Sequence, residues 1–481
     1  MTDRQKTFAL ILLAATQFMI VIDASIVNVA LPSVGRALDI EPTSLSWIVN
    51  SYTLTFGGFL LLGGRLADLL GRRRMFMAGL GVFSLASLLG GLAQSEAWLN
   101  GARALQGLGA AIIAPAALSI VTTIFAEGAE RNRALGVWGA VAGAGGAAGV
   151  LLGGVLTEYL GWEWVLFVNV PIGVGAALLA PKLLVESRAE GAGRSFDLPG
   201  AVTVTAGLAL LVYALVDAES AGWTSSTTLL RFVGVVVLLG AFIAIEARAA
   251  HPLMPFSIFR LRTLRGANVV GLLIGMSLFS MFFFISLYLQ QVLGYSALRT
   301  GLCYLPLSIF IILSAGGASQ LVTKIGFKTT LIIGLSFVAA GLLWFSRIDA
   351  GGNFGTDVLG PSLLAAIGLG LSFVPVTIAA VTGIEPQEAG LASGLINTAQ
   401  QIGGALGVAV LSSIATSRTA GFGAGAEGNP VAVTEGFQTA FLVGAGFAVA
   451  GAILAAALIS SRDAREHAVA ARAGEAPVTA V

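Results

Sequence analysis

The sequence predicts an all-α membrane protein whose chain crosses the bilayer fourteen times. Of its 481 residues, 56% are hydrophobic and 11% are charged, and the mean hydropathy is +0.91. Soluble domains carry about 25% charged residues. The apolar residues form fourteen runs of roughly the length that a spanning helix needs. These runs lie near residues 8–30, 45–66, 75–94, 98–122, 135–157, 164–184, 200–217, 228–247, 268–291, 300–321, 329–347, 359–382, 391–415 and 437–460.

The distribution of Lys and Arg residues supports both the helix count and an orientation. If both termini are cytoplasmic, 20 of the 26 basic residues fall on the inner side and 5 on the outer side, and Arg103 stays within a span. Cytoplasmic loops collect positive charge, and one miscounted helix would scramble this asymmetry. We therefore expect a multi-pass protein of the inner (plasma) membrane with both termini in the cytoplasm.

The first run, residues 8–30, is predicted to be a spanning helix and not a cleaved signal peptide. Arg4 and Lys6 precede it, as in a signal peptide, but the run exceeds twenty residues and has no convincing cleavage site. The lipid bilayer is thus one expected partner of the chain.

An internal repeat predicts two homologous halves. The stretch GGAAGV at 145–150 matches GGALGV at 403–408 with an offset of 258 residues, and LADLLGRR at 66–73 resembles LVTKIGFK at 321–328 with an offset of 255. Either match alone has a chance explanation in Gly/Ala-rich helices, but the two offsets agree. Both correspond to a shift of eight helices, which two six-helix halves separated by two inserted helices would produce. Parallel six-helix halves are a known transporter architecture.

The repeat divides the chain into four predicted regions. Residues 1–190 form an N-terminal six-helix bundle, and 191–250 contain the inserted helices 7 and 8. Residues 251–461 form a C-terminal six-helix bundle, and 462–481 are expected to be a flexible cytoplasmic tail.

One acid and one base are predicted to pair inside the N-terminal half. Asp23 lies in the apolar stretch MIVIDASIVNVALP (19–32), about 10 Å below the outer end of its helix, and Arg103 lies at a similar depth in the fourth span. Ionisable residues inside a span are costly and usually functional. The repeat aligns Asp23 with Phe279, so the second half carries no copy of the pair. The two interpretations are a proton-coupling site and a permanent ion pair that orders the bundle.

The turn GGRLADLLGRRRMF (63–76) carries an acid and an arginine cluster on the predicted cytoplasmic side. Asp68 is predicted to cap a helix N-terminus across the interface between the halves, an interaction worth roughly 0.3–1 kcal/mol. Such a contact would hold one conformation of a rocking pair of bundles. The alternative is that the turn is only a topology signal.

Two further sets of residues are candidates for packing or for a substrate cavity. In helix 5, Gly145, Gly149 and Gly153 recur every four residues and form a smooth face, either for plain packing or for the hinge between the halves. Other side chains at helical spacing are predicted to line a cavity, and the polar ones suit interhelical hydrogen bonds about equally well. The cavity candidates are Trp47, Asn50, Gln106, Phe279, Phe283, Asn397, Gln400 and Gln401.

The charged and sulfur-containing side chains exclude several function classes. The net charge of +1 is dispersed in short clusters without a basic face, which excludes nucleic acid as a partner. Cys303 is the single cysteine, and it forms no metal-binding pattern with His251 or His467. We expect no metal and no cofactor.

Five stretches resemble the major facilitator superfamily, and specifically its fourteen-helix drug/proton antiporter branch. GRLADLLGRRR (64–74) resembles the superfamily's signature loop. LNGARALQGLGAA (99–111) resembles its helix 4 motif, and IDASIVNVALP (22–32) is similar to the helix 1 motif of the branch. WEWVLFVNVPIG (162–173) and HPLMPFSIFR (251–260) are also similar to phrases of that branch.

The resemblance assigns roles to particular residues. In the loop it places Gly64, Asp68, Gly71, Arg72 and Arg73 at the motif positions, and these are expected to control conformational change. It implicates Arg103 of the helix 4 motif in proton transfer, with Asp23 as the acid of the helix 1 motif.

Helix 5 departs from the antiporter motif at one position. Gly145, Gly149, Gly153 and Gly154 match its glycines, but Val150 follows Gly149 where the motif has proline. The bend attributed to that proline is therefore missing, which weakens the antiporter inference from this helix.

The resemblance implies a proton-coupled multidrug efflux antiporter that works by alternating access as a monomer. Its substrates would be amphipathic small molecules, and protons would be the coupling ion. The alternatives are a dedicated exporter of one compound, such as an antibiotic or a lipid, and a proton-coupled solute transporter. A membrane enzyme would need a nucleophile, metal ligands or a catalytic domain, and the sequence shows none. A channel fits a single buried ion pair between repeated halves less well than a transporter does.

Overall fold

The computed structural model of the protein describes residues 1–40, 45–126, 128–188, 197–249, 252, 254–384, 388–423, 425 and 428–473. Every regular element within these residues is helical. In a bilayer the backbone must satisfy its hydrogen bonds within the chain, which apolar helices do. Side chains of residues just outside the helices accept the first free backbone N–H groups. Such caps are Thr2, Ser95, Ser225, Ser296 and Asn429.

The described residues form fifteen α-helices, with three shorter helical segments, Phe256–Arg260, Tyr288–Val292 and Phe354–Val358, between some of them. The first six are α1 (Asp3–Leu38), α2 (Ser46–Leu70), α3 (Arg72–Gly91), α4 (Glu96–Ile124), α5 (Ala129–Tyr159) and α6 (Trp164–Leu183). The next two are α7 (Leu198–Ala221) and α8 (Ser226–Glu246). The last seven are α9 (Arg262–Leu287), α10 (Ala297–Ile325), α11 (Phe327–Phe345), α12 (Leu359–Val381), α13 (Ala389–Ala420), α14 (Pro430–Leu458) and α15 (Ser461–Ala473).

Twelve of these helices are long and apolar enough to cross a membrane within the described residues. The two others that correspond to predicted spans are α5 and α7, which contain the shorter apolar stretches Ala148–Tyr159 and Pro199–Leu215. The chain is therefore a multi-pass, all-helical membrane protein. The predicted count of fourteen crossings is not confirmed.

The first six helices and the last six spanning helices meet along two seams. In one seam α5 packs against α10, and in the other α2 packs against α13. Both seams contain glycines that permit close approach. A Cβ atom on Gly154 would lie 3.3 Å from Leu298 Cα, and one on Gly64 would lie 2.5 Å from the Gly390 carbonyl oxygen. We call the end of the molecule where α1 begins and α2 turns into α3 the basic end.

The inserted helices lie against only one of the two seams. Helix α7 packs against α2 and α13, and α8 packs against α7. A Cβ on Gly58 would lie 3.0 Å from Ala209 Cβ, and the ring centroids of Trp47 and Tyr213 are 5.6 Å apart. The inserted helices thus cover the α2–α13 seam. Within the described residues they do not pack closely against α5 or α10, so they leave the α5–α10 seam uncovered.

The beginning of the predicted flexible tail is instead a helix. Ser461–Ala473 form α15, which packs against α10 and α11. The Ser460 hydroxyl accepts a hydrogen bond from the Asp463 backbone N–H and starts the helix. Ala464, His467 and Ala468 are spaced to lie on one face and are buried, so this face docks on the bundle. The prediction of a flexible tail is wrong for residues 462–473, and 474–481 lie outside the described residues.

Helix α15 connects the two halves at the basic end. His467 is 3% exposed, and its Nε2 lies 2.9 Å from the Asn132 Oδ1 of α5. The Asn132 amide in turn donates to Thr323 Oγ1 of α10 at 3.3 Å. Burial, together with the smaller effect of the nearby positive charge of Arg131, lowers the pKa of His467 to about 4. The imidazole is therefore neutral in the docked helix and donates to Asn132.

We expect α15 to undock in acid. A histidine whose docked pKa is depressed favours docking fully above its free pKa of about 6.5, and this contribution is lost as the pH falls toward 4. Spin labels at the exposed positions Arg465 and Leu70 should report a broadened distance distribution over that interval. His467→Gln keeps an amide donor for Asn132 but does not titrate, so its distribution should stay constant. Equal pH responses in the two proteins would contradict the assignment.

Candidate functional site

A buried ion pair joins α1 to α4. Arg103 NH1 lies 2.7 Å from Asp23 Oδ2, and both side chains are 0% exposed. The residues that the apolar pattern singled out are therefore in direct contact. A buried pair of this kind repays the cost of desolvation only when further hydrogen bonds satisfy its remaining polar atoms.

Two amides supply these additional bonds to the carboxylate. Gln106 Nε2 donates to Asp23 Oδ1 at 3.1 Å, and Asn169 Nδ2 of α6 donates to the same oxygen at 2.7 Å. Gln106 also donates to Ser87 Oγ of α3 at 2.7 Å and accepts from Arg103 NH1 at 2.7 Å. Asp23 thus lies at the centre of a polar network that connects four helices of the N-terminal half.

The arginine side of the network is only partly satisfied. Arg103 Nε donates to the Ile48 carbonyl oxygen at 3.2 Å, and its guanidinium carbon lies 4.5 Å from the centre of the Tyr52 ring. Arg103 NH2 and the Tyr52 hydroxyl are buried and have no hydrogen-bond partner among the described residues. An unsatisfied buried group costs roughly 1–3 kcal/mol. Arg103 and Tyr52 are therefore the part of the network that is not fully hydrogen-bonded in this conformation.

Three members of the network were missed by the sequence analysis. Ser87, Asn169 and Tyr52 are uncharged, so they do not stand out in an apolar run as Asp23 does. Asn169 had a signal, because it is the polar residue within the stretch VLFVNVPIG. Ser87 and Tyr52 had none, since serine and tyrosine are common in spanning helices.

The predicted cavity residues do not form one group. Gln106 is 0% exposed and belongs to the Asp23 network, so its placement on a cavity wall was wrong in this conformation. Trp47 contacts Tyr213 of the inserted helix α7. Asn397 Nδ2 donates to the Ser393 carbonyl one turn earlier in its own helix.

The remaining candidates are at least partly accessible. Phe279 and Phe283 of α9 are 41% and 38% exposed. Asn50, Gln400 and Gln401 are half-buried. A cavity role for these five residues stays a prediction.

The turn between α2 and α3 makes the predicted cap across the halves. Asp68 Oδ1 accepts from the Gly390 N–H at 3.2 Å and Oδ2 accepts from the Leu391 N–H at 3.1 Å, both at the start of α13. Arg72 NH2 forms a buried ion pair with Asp68 Oδ1 at 2.9 Å, and Arg72 NH1 donates to Thr123 Oγ1 at 2.7 Å. Asp68 therefore holds the N-terminus of α13 with a carboxylate that is itself fixed by Arg72.

The rest of the loop motif shapes the turn within one half. Gly71 has φ +110°, a conformation that side chains rarely adopt, and a Cβ there would lie 2.7 Å from Glu186 Oε1. The Glu186 carboxylate accepts from the backbone N–H groups of Arg73 at 3.1 Å and Arg74 at 3.2 Å. Glu186 caps the N-terminus of α3, and Asp68 alone of the two acids reaches the other half.

A corresponding contact lies at the α5–α10 seam. With the repeat offsets of 255 and 258, Asp68 aligns with Thr323 and Gly390 aligns with Asn132. Asn132 donates to Thr323 in the structure. Both seams are thus joined at the basic end by related positions, but the charged version occurs only at the α2–α13 seam.

The glycine face of helix 5 packs within its own half. Cβ atoms on Gly145, Gly149 and Gly153 would collide with α1, at 2.6 Å from Val21, 1.8 Å from the Ser25 hydroxyl and 2.7 Å from the Ile26 carbonyl. The hinge interpretation of this face is therefore wrong, because its partner is α1 and not the second half. Gly154 does lie in the seam, against Leu298 of α10.

No group of three or more His, Cys, Asp or Glu side chains within the described residues is arranged to hold a metal ion.

Comparison with known proteins shows the family of this chain. The family model of the Major Facilitator Superfamily matches residues 13–408. The chain belongs to the major facilitator superfamily. This membership confirms the resemblance found in the sequence motifs and identifies the chain as a membrane transporter.

Three similar proteins of the superfamily have names that refer to antibiotic resistance or antibiotic export. The chain is 42% identical to the puromycin resistance protein of Streptomyces alboniger, over 96% of this chain and 92% of that protein. It is 43% identical to the cephamycin export protein of Amycolatopsis lactamdurans, over 93% and 91%. It is 35% identical to the tetracenomycin C resistance and export protein of Streptomyces glaucescens, over 85% and 76%.

The superfamily fold is also shared with a solved structure. The crystal structure of the human organic anion transporter TETRAN aligns with a TM-score of 0.69 and 16% sequence identity. The alignment covers 95% of this chain and 100% of that one. At this identity the likeness concerns the fold alone.

Proposed function

We propose that this transporter exports amphipathic small molecules in exchange for protons by alternating access. The observation that carries the proposal is the buried Asp23–Arg103 pair, which is present in one half only and whose carboxylate also accepts from Gln106 of α4 and Asn169 of α6. The names of the relatives support export, since they describe antibiotic resistance and antibiotic export.

The proposed topology has fourteen crossings in the plasma membrane, with both termini and the basic end in the cytoplasm. The basic end carries the arginine cluster of the α2–α3 turn, in keeping with the excess of positive charge on cytoplasmic loops. Helices α5 and α7 supply the two crossings beyond the twelve, since they are 31 and 24 residues long. A monomer is sufficient, because both bundles belong to one chain.

In the proposed cycle, this structure is the conformation closed toward the cytoplasm. The Asp68 contacts with Gly390 and Leu391 hold the basic ends of the halves together. Protonation of Asp23 from the outer side neutralises the partner of Arg103, whose positive charge is then uncompensated in a dry site. The cost of that charge favours the arrangement that opens toward the cytoplasm, where Asp23 releases its proton. Each net charge moved across the membrane contributes about 2.3 kcal/mol per 100 mV.

A second candidate is a dedicated exporter of one antibiotic. It is favoured by the names of the three relatives described above, which refer to puromycin, cephamycin and tetracenomycin C respectively. Both candidates use the same proton chemistry and differ only in the breadth of the substrates.

Efflux assays test the proposed function and separate the two candidates. In proteoliposomes with an imposed pH gradient, we expect uphill transport of an amphipathic dye or an antibiotic that stops when a proton uncoupler is added. Transport that persists with the uncoupler would contradict proton coupling. A panel of lipophilic cations, dyes and antibiotics then measures breadth: several substrates indicate a multidrug transporter, and one indicates a dedicated exporter.

A further inference from the structure

A groove of about 890 Å³ runs along the α5–α10 seam at the basic end. It shares no residue with the Asp23 network, and α7 and α8 cover the opposite seam. Its walls come from α5 and α10, one from each half, and Phe18 of α1 also lines it. The groove is lined by Phe18, Ala129, Arg133, Gly136, Val137, Ala140, Val141, Ile312, Gly316, Ser319, Gln320, Thr323 and Lys324.

The groove faces the surroundings of the bundle. Val137 of α5 is 38% exposed and Ile312 of α10 is 49% exposed. A Cβ on Gly316 would meet no atom within 4 Å, so the groove is open beside this residue. At about 100° per residue, Val137 lies about 80° around α5 from Gly145, which contacts α1, and about 100° from Gly154, which contacts α10, so it faces the gap between these two contacts. The groove therefore opens sideways, toward the membrane.

Two cations mark one end of this apolar groove. Arg133 belongs to α5 and Lys324 to α10, and both side chains are exposed where they line the groove. The nearest acid on α5, Glu130, is paired with Lys6 at 2.6 Å. Two basic side chains thus lie at the end of the groove and apolar walls run along its length, an arrangement that suits an amphiphile with an anionic head.

The dimensions match one leaflet of a bilayer. Lys324 and Ile312 are twelve residues apart on α10, or about 18 Å at 1.5 Å per residue. Half of the hydrocarbon core is about 15 Å thick. With the cations at the membrane surface, Ile312 lies near the midplane, so an acyl chain following the groove has the length of its own leaflet to traverse.

We propose that this groove binds one anionic phospholipid, with its phosphate between Arg133 and Lys324 and an acyl chain along Val137, Ala140 and Ile312. Basic pockets between membrane helices on the cytoplasmic side are suited to such headgroups. The proposal rests on the cytoplasmic orientation of the basic end given above. Because the two cations belong to different halves, the bound lipid bridges the seam and stabilises the conformation closed at the basic end. A cationic substrate is disfavoured by the same charges.

The test measures lipid binding directly and needs no transport. Purified protein is titrated with phosphatidylglycerol in phosphatidylcholine nanodiscs, and bound phosphatidylglycerol is counted by native mass spectrometry. Arg133→Gln/Lys324→Gln is expected to bind about thirtyfold more weakly, since each basic side chain near an anionic lipid contributes roughly a fivefold factor. The matched control is Lys182→Gln/Arg465→Gln, which removes two exposed charges from the same end outside the groove. The control is expected to bind as the wild type does.

A second variant tests the acyl-chain part of the site. Gly316→Leu fills open space in the groove and keeps both cations, so it should also lose binding of phosphatidylglycerol. Equal losses in the charge variant and the control would overturn the site, as would full binding by Gly316→Leu. Displacement of the lipid by inorganic phosphate would assign the cations to a free anion, and competitive displacement by the transported dye would make the groove a substrate entry path. Either result would overturn the lipid assignment and leave the proposed function intact.

Discussion

Asp23→Asn is expected to reduce proton-driven export at least about a hundredfold while the protein still reaches the membrane. The carboxylate accepts hydrogen bonds from Arg103, Gln106 and Asn169, and it is the only negative charge in that network. An asparagine has one acceptor oxygen and two N–H donors, so it cannot serve all three donors. It also has no proton to exchange at any physiological pH, and the coupling step is removed.

The free-energy cost of this substitution falls on Arg103. Its guanidinium is 0% exposed, and removing one partner of a buried ion pair costs about 3–5 kcal/mol because the other charge is left uncompensated. In the proposed cycle, protonation of Asp23 also leaves the charge of Arg103 uncompensated. Asp23→Asn should therefore resemble the protonated state at every pH. We expect it to favour the conformation open at the basic end and to bind substrate without proton-driven turnover.

Two further variants separate coupling from folding. Asp23→Asn/Arg103→Gln removes both charges, so it should recover thermal stability in detergent but not proton-driven export. Asp217→Asn changes another acid in a helix, one that pairs with Arg231 between the two inserted helices α7 and α8, and should transport at close to the wild-type rate. The role of Asp23 is refuted if Asp23→Asn, present at normal amounts, still shows full export driven by a pH gradient.

The contacts that were predicted correctly from the sequence are those of charged residues in positions where a charge needs a specific partner. Asp23 is an acid within an apolar helix, and Arg103 is a base at a matching depth. Because an unpaired charge inside the membrane is costly in free energy, the two were expected to pair. Asp68 lies in the α2–α3 turn, which the internal repeat pairs with residues 321–328. Because a helix N-terminus attracts negatively charged acceptors, an acid in this turn predicted a contact with a helix of the other half. In each case the chemistry of a single side chain limited the possible partners.

The features that were missed depend on how helices are rotated and docked. The spacing of Gly145, Gly149 and Gly153 predicted a smooth face, but a face does not specify its partner, and the partner is α1. Helix α15 is rich in alanine and charge, so its sequence resembles a solvated tail. It is ordered because His467 and its neighbours find a surface made by α5, α10 and α11, and that surface exists only after both halves have assembled.

Asp68→Asn is expected to lower the rate of export at least tenfold while leaving substrate affinity nearly unchanged. Asp68 accepts from the backbone of Gly390 and Leu391 in this structure, which the proposed cycle assigns to the conformation closed at the basic end, and it is 0% exposed beside Arg72. The asparagine keeps the shape of the side chain but loses the charge that attracts both the α13 N-terminus and Arg72. A shift of about 1.4 kcal/mol between two conformations changes their ratio tenfold, and breaking a buried pair exceeds that value. The transporter should then rest in the conformation open toward the cytoplasm.

The same turn supplies the control that distinguishes conformational balance from loss of structure. Glu186→Gln changes a second carboxylate, which caps α3 inside the N-terminal half and does not reach α13. It should lower thermal stability modestly without changing the rate per molecule. A cysteine at Gly394, which lies in the α2–α13 seam close to Leu60, should become accessible to a thiol reagent in Asp68→Asn and stay protected in Glu186→Gln. Unchanged export and unchanged accessibility in Asp68→Asn would reduce the turn to a topology signal, since a charge that holds the halves together cannot be lost without shifting their balance.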